Sequence, residues 1–397
     1  LYRGYSKFEK ENSHRMRWPF PQGNKEEKKR QNTRQNFKRA RVDSITILES
    51  SDRELDAFRD PEGNICLYDL KARRHPSFSV EGYLVHNCSM ISEGLLSFIK
   101  KTVKRTKCKV LFVGDPAQLP PVGETRTKAW SVTNLKENHA FLKKVVRYDN
   151  QLLSLATEIR ENIKTKNYYS PIKDDNQKDE GVFLLPKSKF MNLLEMYNKP
   201  EDFIDRKVIA WKNVTVNHYN NSIRENLGFN WPFEKNDILL IAEPVEQNGQ
   251  IVSTIDDEYI VQSVDKSSIK VYKNKEEQPY IKVWSLIVQD DSGTQLTLSI
   301  PIDKGQLHEV LTYRANLAKN AENSNDRRSL WREFWAIKRT FHSVRYGYAL
   351  TAHRAQGSTY TSCFIDQRDI MSNTNKKEAL RCLYVAATRP TTSLFTF

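Results

Sequence analysis

Cysteine is scarce and unpatterned in this sequence. Five occur in 397 residues, at Cys66, Cys88, Cys108, Cys363 and Cys382, an odd number with no Cys-x-x-Cys pair. That distribution argues against a disulfide framework and against a zinc motif, so a reducing compartment is expected and no metal ligand is assigned from sequence. No run is long and apolar enough to span a bilayer, and the first residues lack the apolar stretch of a signal peptide, so no membrane partner is expected. Also missing is any loop of the form G-x-x-x-x-G-K-[ST], whose backbone amides wrap phosphates and whose hydroxyl holds magnesium. By itself this chain is not expected to hydrolyse a nucleoside triphosphate.

What is present is enough for two or three globular units, since 38% of the residues are apolar. The net charge of +14 is concentrated at one end: residues 1–41 carry thirteen Lys/Arg against four Asp/Glu. Such a run fits nucleic acid, an acidic protein partner or a solvated face. The stretch "NKEEKKRQNTRQNFKRAR" resembles an exposed arm more than a core element.

The pattern along the chain implies a mixed fold. After the basic polar arm (1–41), residues 42–87 contain short β-type runs separated by Asp, Pro and Gly, which indicate a small all-β segment. From Cys88 the pattern becomes α/β: "ISEGLLSFIKKTV" has helical apolar spacing, "KVLFVGD" is a buried strand running into a loop, and "NQLLSLATEIRENI" is a second amphipathic helix. A first α/β domain over 88–165 and a second over 180–397 follow, joined by the polar stretch "YYSPIKDDNQKDEG". At about 231–301 the period changes to two, with "EQNGQ" and "DDSGT" as turns, which predicts an inserted antiparallel barrel.

Chemistry concentrates in the α/β part. "LFVGDPAQLPPVGE" delivers Asp115 and Gln118 into a loop that Pro120 and Pro121 stiffen. "YALTAHRAQGSTY" sets Gln356 and Gly357 on a strand-to-helix turn, "LYVAATRP" ends a helix at Arg389, and "KKVVRYDNQLLSLA" offers Arg147. In this order the four stretches resemble motifs III to VI of superfamily 1 helicases of the RecD-like, phage type, which move 5′ to 3′ on single-stranded DNA. The resemblance implies two RecA-like domains with an SH3-like barrel inserted in the second, use of ATP and Mg2+, and single-stranded DNA as partner, in the cytoplasm of a bacterial host. It implies nucleotide contacts for Asp115, Gln118, Arg147, Gln356, Gly357 and Arg389, with Gln118 reporting the γ-phosphate and the two arginines neutralising charge that develops on it. Pro120, Thr351, His353 and Arg354 are then expected along the DNA strand; Arg354 stands where the family more often has Lys, keeping charge but changing geometry. Taken singly, Arg147 or Arg160 reads as an ordinary surface or salt-bridged arginine.

The last feature lies just before this region. "CSMI" looks like the tail of a magnesium-binding motif that needs Asp-Glu immediately before it, but His86-Asn87 stand there. "NICLYDLKARRHPSFSVEGYLVHN" followed by Cys resembles the C-terminal splicing block of an intein. The side-chain amide of Asn87 can attack its own backbone carbonyl and cut the chain, with His86 placed to polarise that carbonyl or protonate the departing amine. Cys88 supplies the thiol that accepts an upstream segment as a thioester. By the same resemblance His75 assists cyclisation and Asp69 activates Cys88.

The initiating residue and the Thr-x-x-His block of such an element are absent before Asp69, so they come from a separate polypeptide or from a stretch of the same gene not contained here. An N-terminal intein and helicase fragment ending in Asp-Glu is therefore an expected partner. The arm either captures that fragment or descends from a region that bound DNA phosphates. Two other readings stay open: a non-splicing helicase half that docks non-covalently with its complement, and a nucleic-acid-binding module without catalysis.

Overall fold

The structure is a computed structural model describing residues 77–80, 83–106, 110–121, 123–133, 150–247, 249–274 and 277–397, with backbone alone for 77–88. The arm 1–41, Asp69, His75 and Arg147 lie outside these residues. Everything described belongs to one compact unit, Ile47–Phe397.

The first sheet contains β1 (Ser77–Val80), β2 (Tyr83–Asn87) and, beyond a 3-10 turn at Cys88–Met90 and helix α1 (Glu93–Thr106), β3 (Val110–Val113). β1 and β2 form an antiparallel hairpin, whereas β2 and β3 run parallel with Asn87 opposite Val113. Parallel neighbours need a crossover, and α1 supplies it. The sheet therefore continues across the Asn87–Cys88 bond instead of ending there. Helix α2 (Ala129–Thr133) contributes Ala129 to a small core with Ile91 and Leu96.

Helix α3 (Gln151–Thr165) starts at Asn150, whose side chain accepts from Leu152 N, and stops at Lys166 in the left-handed region. Its apolar face, Leu152, Leu155 and Ile159, joins the same core as Val182, Leu383 and Leu394. Although expected to close the first α/β domain, this helix packs on the second, because its stripe meets that domain's apolar layer. The second sheet begins with the hairpin β4 (Asp175–Gln177) and β5 (Glu180–Leu184), followed by α4 (Lys187–Glu195), β6 (Arg206–Ala210) and α5 (Asn213–Asn226).

The antiparallel insertion follows: β7 (Ile238–Ile241), the small hairpin β8 (Val245–Gln247) and β9 (Gln250–Ser253), β10 (Glu258–Lys270), β11 (Tyr280–Gln289) and β12 (Gln295–Pro301). It does not end at residue 301. Helices α6 (Lys304–Lys319) and α7 (Ser324–Thr340) intervene before β13 (Val344–Tyr346) returns to pair with β7, giving the order β12-β11-β10-β7-β13. In β11 the alternation slips at Trp284 and Ser285. Ile281 and Val283 pack with Val310 of α6 and with Phe341, whereas Leu286 and Val288 pack into the sheet's own core with Leu239 and Leu298. One long strand thus serves two cores.

The chain then completes the second sheet with β14 (Ala349–Thr351), α8 (Ala352–Ala355), β15 (Tyr360–Ile365), α9 (Gln367–Met371), α10 (Lys376–Ala387) and β16 (Pro390–Thr396). Its order is β14-β6-β15-β16-β5-β4, parallel except for the β4–β5 hairpin. Loops at the carboxyl ends of such strands are where α/β sheets carry chemistry.

Candidate functional site

Ser89, one residue past the junction, fixes the loop after β3. Its hydroxyl accepts from Asp115 N and donates to Asp115 O, both at 3.2 Å. The Asp115 carboxylate turns the chain by accepting from Ala117 N at 2.9 Å, and it accepts from Tyr384 Oη at 2.7 Å and Arg160 Nη1 at 3.2 Å. Arg160 also donates to Tyr384 Oη. From α10, Arg381 reaches the same loop and donates to Pro116 O and Thr125 O. Burial holds the Arg381 guanidinium below its ordinary pKa, opposed by the charges of Tyr168 and Asp115. The loop is therefore gripped from both ends of the chain.

Beside it, Gln356 Nε2 donates to Gln118 Oε1 at 3.0 Å, joining residues 238 apart in sequence. Gln356 Oε1 is buried without a hydrogen-bond partner among the described residues, which is a costly state for an amide oxygen. Gly357 follows with φ of +94° and open space where a Cβ would stand. Only glycine takes that turn without strain, although nothing crowds it. Arg389 is almost fully buried: its Nε donates to Val385 O, Nη1 to Ser358 O and Nη2 to Thr388 Oγ1, at 2.8–2.9 Å. In this arrangement Arg389 ties the end of α10 to Ser358, two residues past Gln356.

The expected strand-side residues divide by role. Thr351 is buried and caps α8, its hydroxyl accepting from Arg354 N. Arg354 Nη1 donates to Asp256 Oδ1 at 2.6 Å, tying the second sheet to the β9–β10 turn of the insertion. Pro120 and His353 are half-buried. Burial lowers the His353 pKa, with nearby Glu378 opposing.

Residues 346–395 match the UvrD-like helicase C-terminal domain. Residues 232–346 match the Dda helicase SH3 domain, a span that includes α6, α7 and β13. Over these two spans the chain is thus similar to a helicase C-terminal α/β domain and an SH3-type insertion. Among curated proteins it is 24% identical over 364 residues to Uncharacterized protein R530 of Acanthamoeba polyphaga mimivirus, covering 77% of this chain and 72% of that protein. It is 22% identical over 324 residues to ATP-dependent DNA helicase dda of Enterobacteria phage T4, covering 76% and 72%. A solved structure, Pif1 helicase from Candida albicans, aligns with a TM-score of 0.41 at 13% identity over 79% of this chain and 71% of that one.

The helicase C-terminal match takes in Thr351, His353, Arg354, Gln356, Gly357 and Arg389, while Asp115 and Gln118 precede it. Three contributors escaped the sequence reading or were passed over in it. Tyr384 and Arg381 read as parts of an amphipathic helix, and Arg160 reads as a salt-bridged arginine, which it is, with the functional loop's own Asp115 as its partner. A signal existed for two of them only, in the position of Tyr384 and Arg381 on α10, one to about two turns before Arg389. At the junction, His86 and Asn87 close β2, and Cys88 opens the 3-10 turn. No helix among the described residues is long and apolar enough to cross a membrane.

Proposed function

We propose that this chain is the C-terminal part of an ATP-dependent, 5′-to-3′ DNA helicase whose nucleotide site is completed by a segment joined at Cys88 through protein splicing. The observation that carries the helicase reading is the Gln118–Gln356 hydrogen bond, in which amides from two separate motifs meet beside Asp115. The Gln118 amide nitrogen has no partner among the described residues and is free to donate to a phosphate oxygen. The buried Gln356 Oε1 has no donor among the described residues. These groups, with Arg160, fit one wall of a nucleotide site. The phosphate-wrapping loop and the magnesium carboxylates have no counterpart in this sequence. Bound ATP and Mg2+ would supply the hydrolysable phosphoanhydride and its charge compensation; Gln118 and Gln356 would orient that phosphate, and single-stranded DNA would lie past α8.

The register at the junction supports splicing as the means of completion. Asn87 ends β2 level with Val113, two residues before Asp115. A joined strand ending in Asp-Glu at this level would bring its carboxylates to the loop carrying Asp115 and Gln118. In the reaction the Cys88 thiol attacks the thioester or ester formed by the acyl shift at the upstream element's initiating Cys or Ser, taking the upstream acyl group as a thioester and releasing that residue's thiol or hydroxyl. The Asn87 side-chain nitrogen then attacks the Asn87 carbonyl, forming a succinimide and freeing the Cys88 amine, which attacks the thioester to make the new peptide bond and restore the thiol. Asp69, His75 and His86 are assigned to the proton transfers.

The uninterrupted β2–β3 pairing favours a second reading, in which β2 stays in place and the chain is a nucleotide-inert DNA-binding partner. Both are tested by co-expressing the chain with an upstream segment that carries a phosphate loop and ends in Asp-Glu followed by an intein start. Splicing gives a ligated product lacking residues 1–87 by mass spectrometry, lost in Asn87→Ala. The product hydrolyses ATP when single-stranded DNA is added and opens duplexes with a 5′ tail but not a 3′ tail. Absence of ligation removes the splicing reading; ligation without DNA-stimulated hydrolysis removes the helicase reading.

A further inference from the structure

His353, Glu378 and Cys382 each bring one ligand atom to within 4.8 Å of the other two. Glu378 and Cys382 stand one turn apart on α10, and therefore on one face, while His353 comes from α8. Cys382 is fully buried and its thiol is free. Neither that thiol nor either His353 ring nitrogen has a hydrogen-bond partner among the described residues. Glu378 is held from behind: Asn375 Oδ1 accepts from its backbone N–H at 3.2 Å, and Asn375 Nδ2 donates to Glu378 Oε2 at 3.4 Å.

We propose that these three side chains form a transition-metal site, with Zn2+ as the ion their chemistry suits. Thiolate, imidazole and carboxylate are the donor types zinc accepts together, and three protein ligands leave a fourth position for water. Metal–ligand bonds of about 2.0–2.3 Å require ligand atoms roughly 3.3–3.8 Å apart in a tetrahedron. Closing from the observed spread takes about 1 Å, within reach of side-chain rotation by half-buried His353 and Glu378. Asn375 is the kind of supporting partner that orients a ligating carboxylate. On binding, Cys382 releases its thiol proton to solvent and no redox step is involved.

The site has a structural consequence. It would cross-link α8, which follows Thr351 and precedes Gln356, to α10, which carries Arg381 and Tyr384 onto the Asp115 loop. A bound ion would thereby stiffen the join between the turn and its supporting helix. Neither hydrolysis nor splicing is required for it.

The test uses the full chain, stripped by a chelator and then titrated with Zn2+ against a chromogenic competitor and with Co2+ by absorption. One equivalent is expected, with a thiolate-to-cobalt charge-transfer band in the near ultraviolet. Cys382→Ser should abolish that band and weaken zinc binding at least about 100-fold, since losing even an outer partner of a metal site costs roughly 10–100-fold. Glu378→Gln, at a half-buried position that tolerates the change, should weaken binding about 10-fold or more while the circular dichroism spectrum stays native. Cys363→Ala, which alters the other buried free cysteine, should leave binding intact. Substoichiometric uptake, a cobalt spectrum without the thiolate band, or unchanged affinity in Cys382→Ser or Glu378→Gln would each overturn the assignment.

Discussion

Asp237 is the residue whose loss the structure should tolerate least. It is fully buried immediately before β7 and accepts from Arg224 Nε at 3.1 Å and from Tyr348 Oη at 2.7 Å, with Arg224 Nη2 3.0 Å away. Arg224 Nη2 also donates to Trp231 O at 2.6 Å. These contacts pin the outgoing crossing to the insertion (231–237) and the return crossing at Tyr348 to the same carboxylate. Burial pushes the Asp237 pKa upward against the pull of Arg224, so desolvation outweighs the attraction and the pair stabilises little in net terms. Removing one member is different. Asp237→Asn leaves Arg224 buried without a counter-ion, at a cost of about 3–5 kcal/mol. Arg224→Met combined with Asp237→Leu leaves no orphan charge, only a Trp231 carbonyl without its donor and a Tyr348 hydroxyl that still accepts from Ile238 N but has lost its acceptor, at about 1–3 kcal/mol each. Arg224→Met and Asp237→Leu singly each strand one buried charge, so the double variant should cost less than their sum, with a coupling of about 2 kcal/mol. Urea unfolding followed by tryptophan fluorescence reads this directly, because Trp231 and Trp284 sit in the insertion. A cost below about 1 kcal/mol for Asp237→Asn, or additivity within about 0.5 kcal/mol, would refute the reasoning.

Further outcomes follow from the same structure. Gln118→Ala and Gln356→Ala in the joined protein should each lower DNA-stimulated ATP hydrolysis roughly 100-fold, the usual cost of one transition-state donor, while DNA binding by fluorescence anisotropy changes little. Gly357→Ala should destabilise by about 1–2 kcal/mol from backbone strain alone, since its Cβ would meet nothing within 4 Å; a thermal shift of the purified chain checks it. Burial holds His342 below its ordinary value, and its Nδ1 accepts from Ser299 N at 3.0 Å. With the folded pKa below the unfolded one, its contribution is fully present above about pH 6.5, begins to fall as the pH drops below that unfolded value and is lost as the pH falls through the folded one. His342→Asn should accordingly flatten the fall in melting temperature between about pH 7.5 and 5.5. Hydrogen exchange on Asn87→Ala should find the Val110–Val113 amides protected by their pairing with β2; fast exchange there would contradict the described register.

Some of this was legible in the sequence and some was not, for physical reasons. Asp115, Gln118, Gln356 and Gly357 stand at strand-to-loop transitions, where apolar runs give way to Gly and Pro, so their place in loops at strand ends can be inferred from pattern alone. The orientation of Arg389 cannot be, because the carbonyls that hold it, Val385 and Ser358, compete with solvent only once the loop is folded. That Thr351 caps α8 is invisible in the sequence, because only the folded turn brings its hydroxyl to Arg354 N. The three residues of β13 are too short for any period to register, which is why the insertion seemed to end at residue 301. Helix α3 has a clear apolar stripe, but a stripe does not say which neighbour covers it. His353 and Cys382 lie 29 residues apart, beyond any metal-ligand spacing that can be read from a linear motif.

The junction poses the sharpest constraint on how the proposed joining works. β3 has β2 as its described neighbour, so excision of residues 1–87 strips that strand and leaves the β3 edge open. An exposed parallel edge is costly and prone to non-specific pairing, and only an incoming strand of the upstream segment relieves it. In the proposed joining, ligation and strand replacement would be energetically linked: the arriving segment would take the place beside β3 as β2 departs, bringing its terminal carboxylates level with Val113. Ser89, already clasping Asp115 through both of its backbone polar groups, keeps the loop in its final position during that exchange.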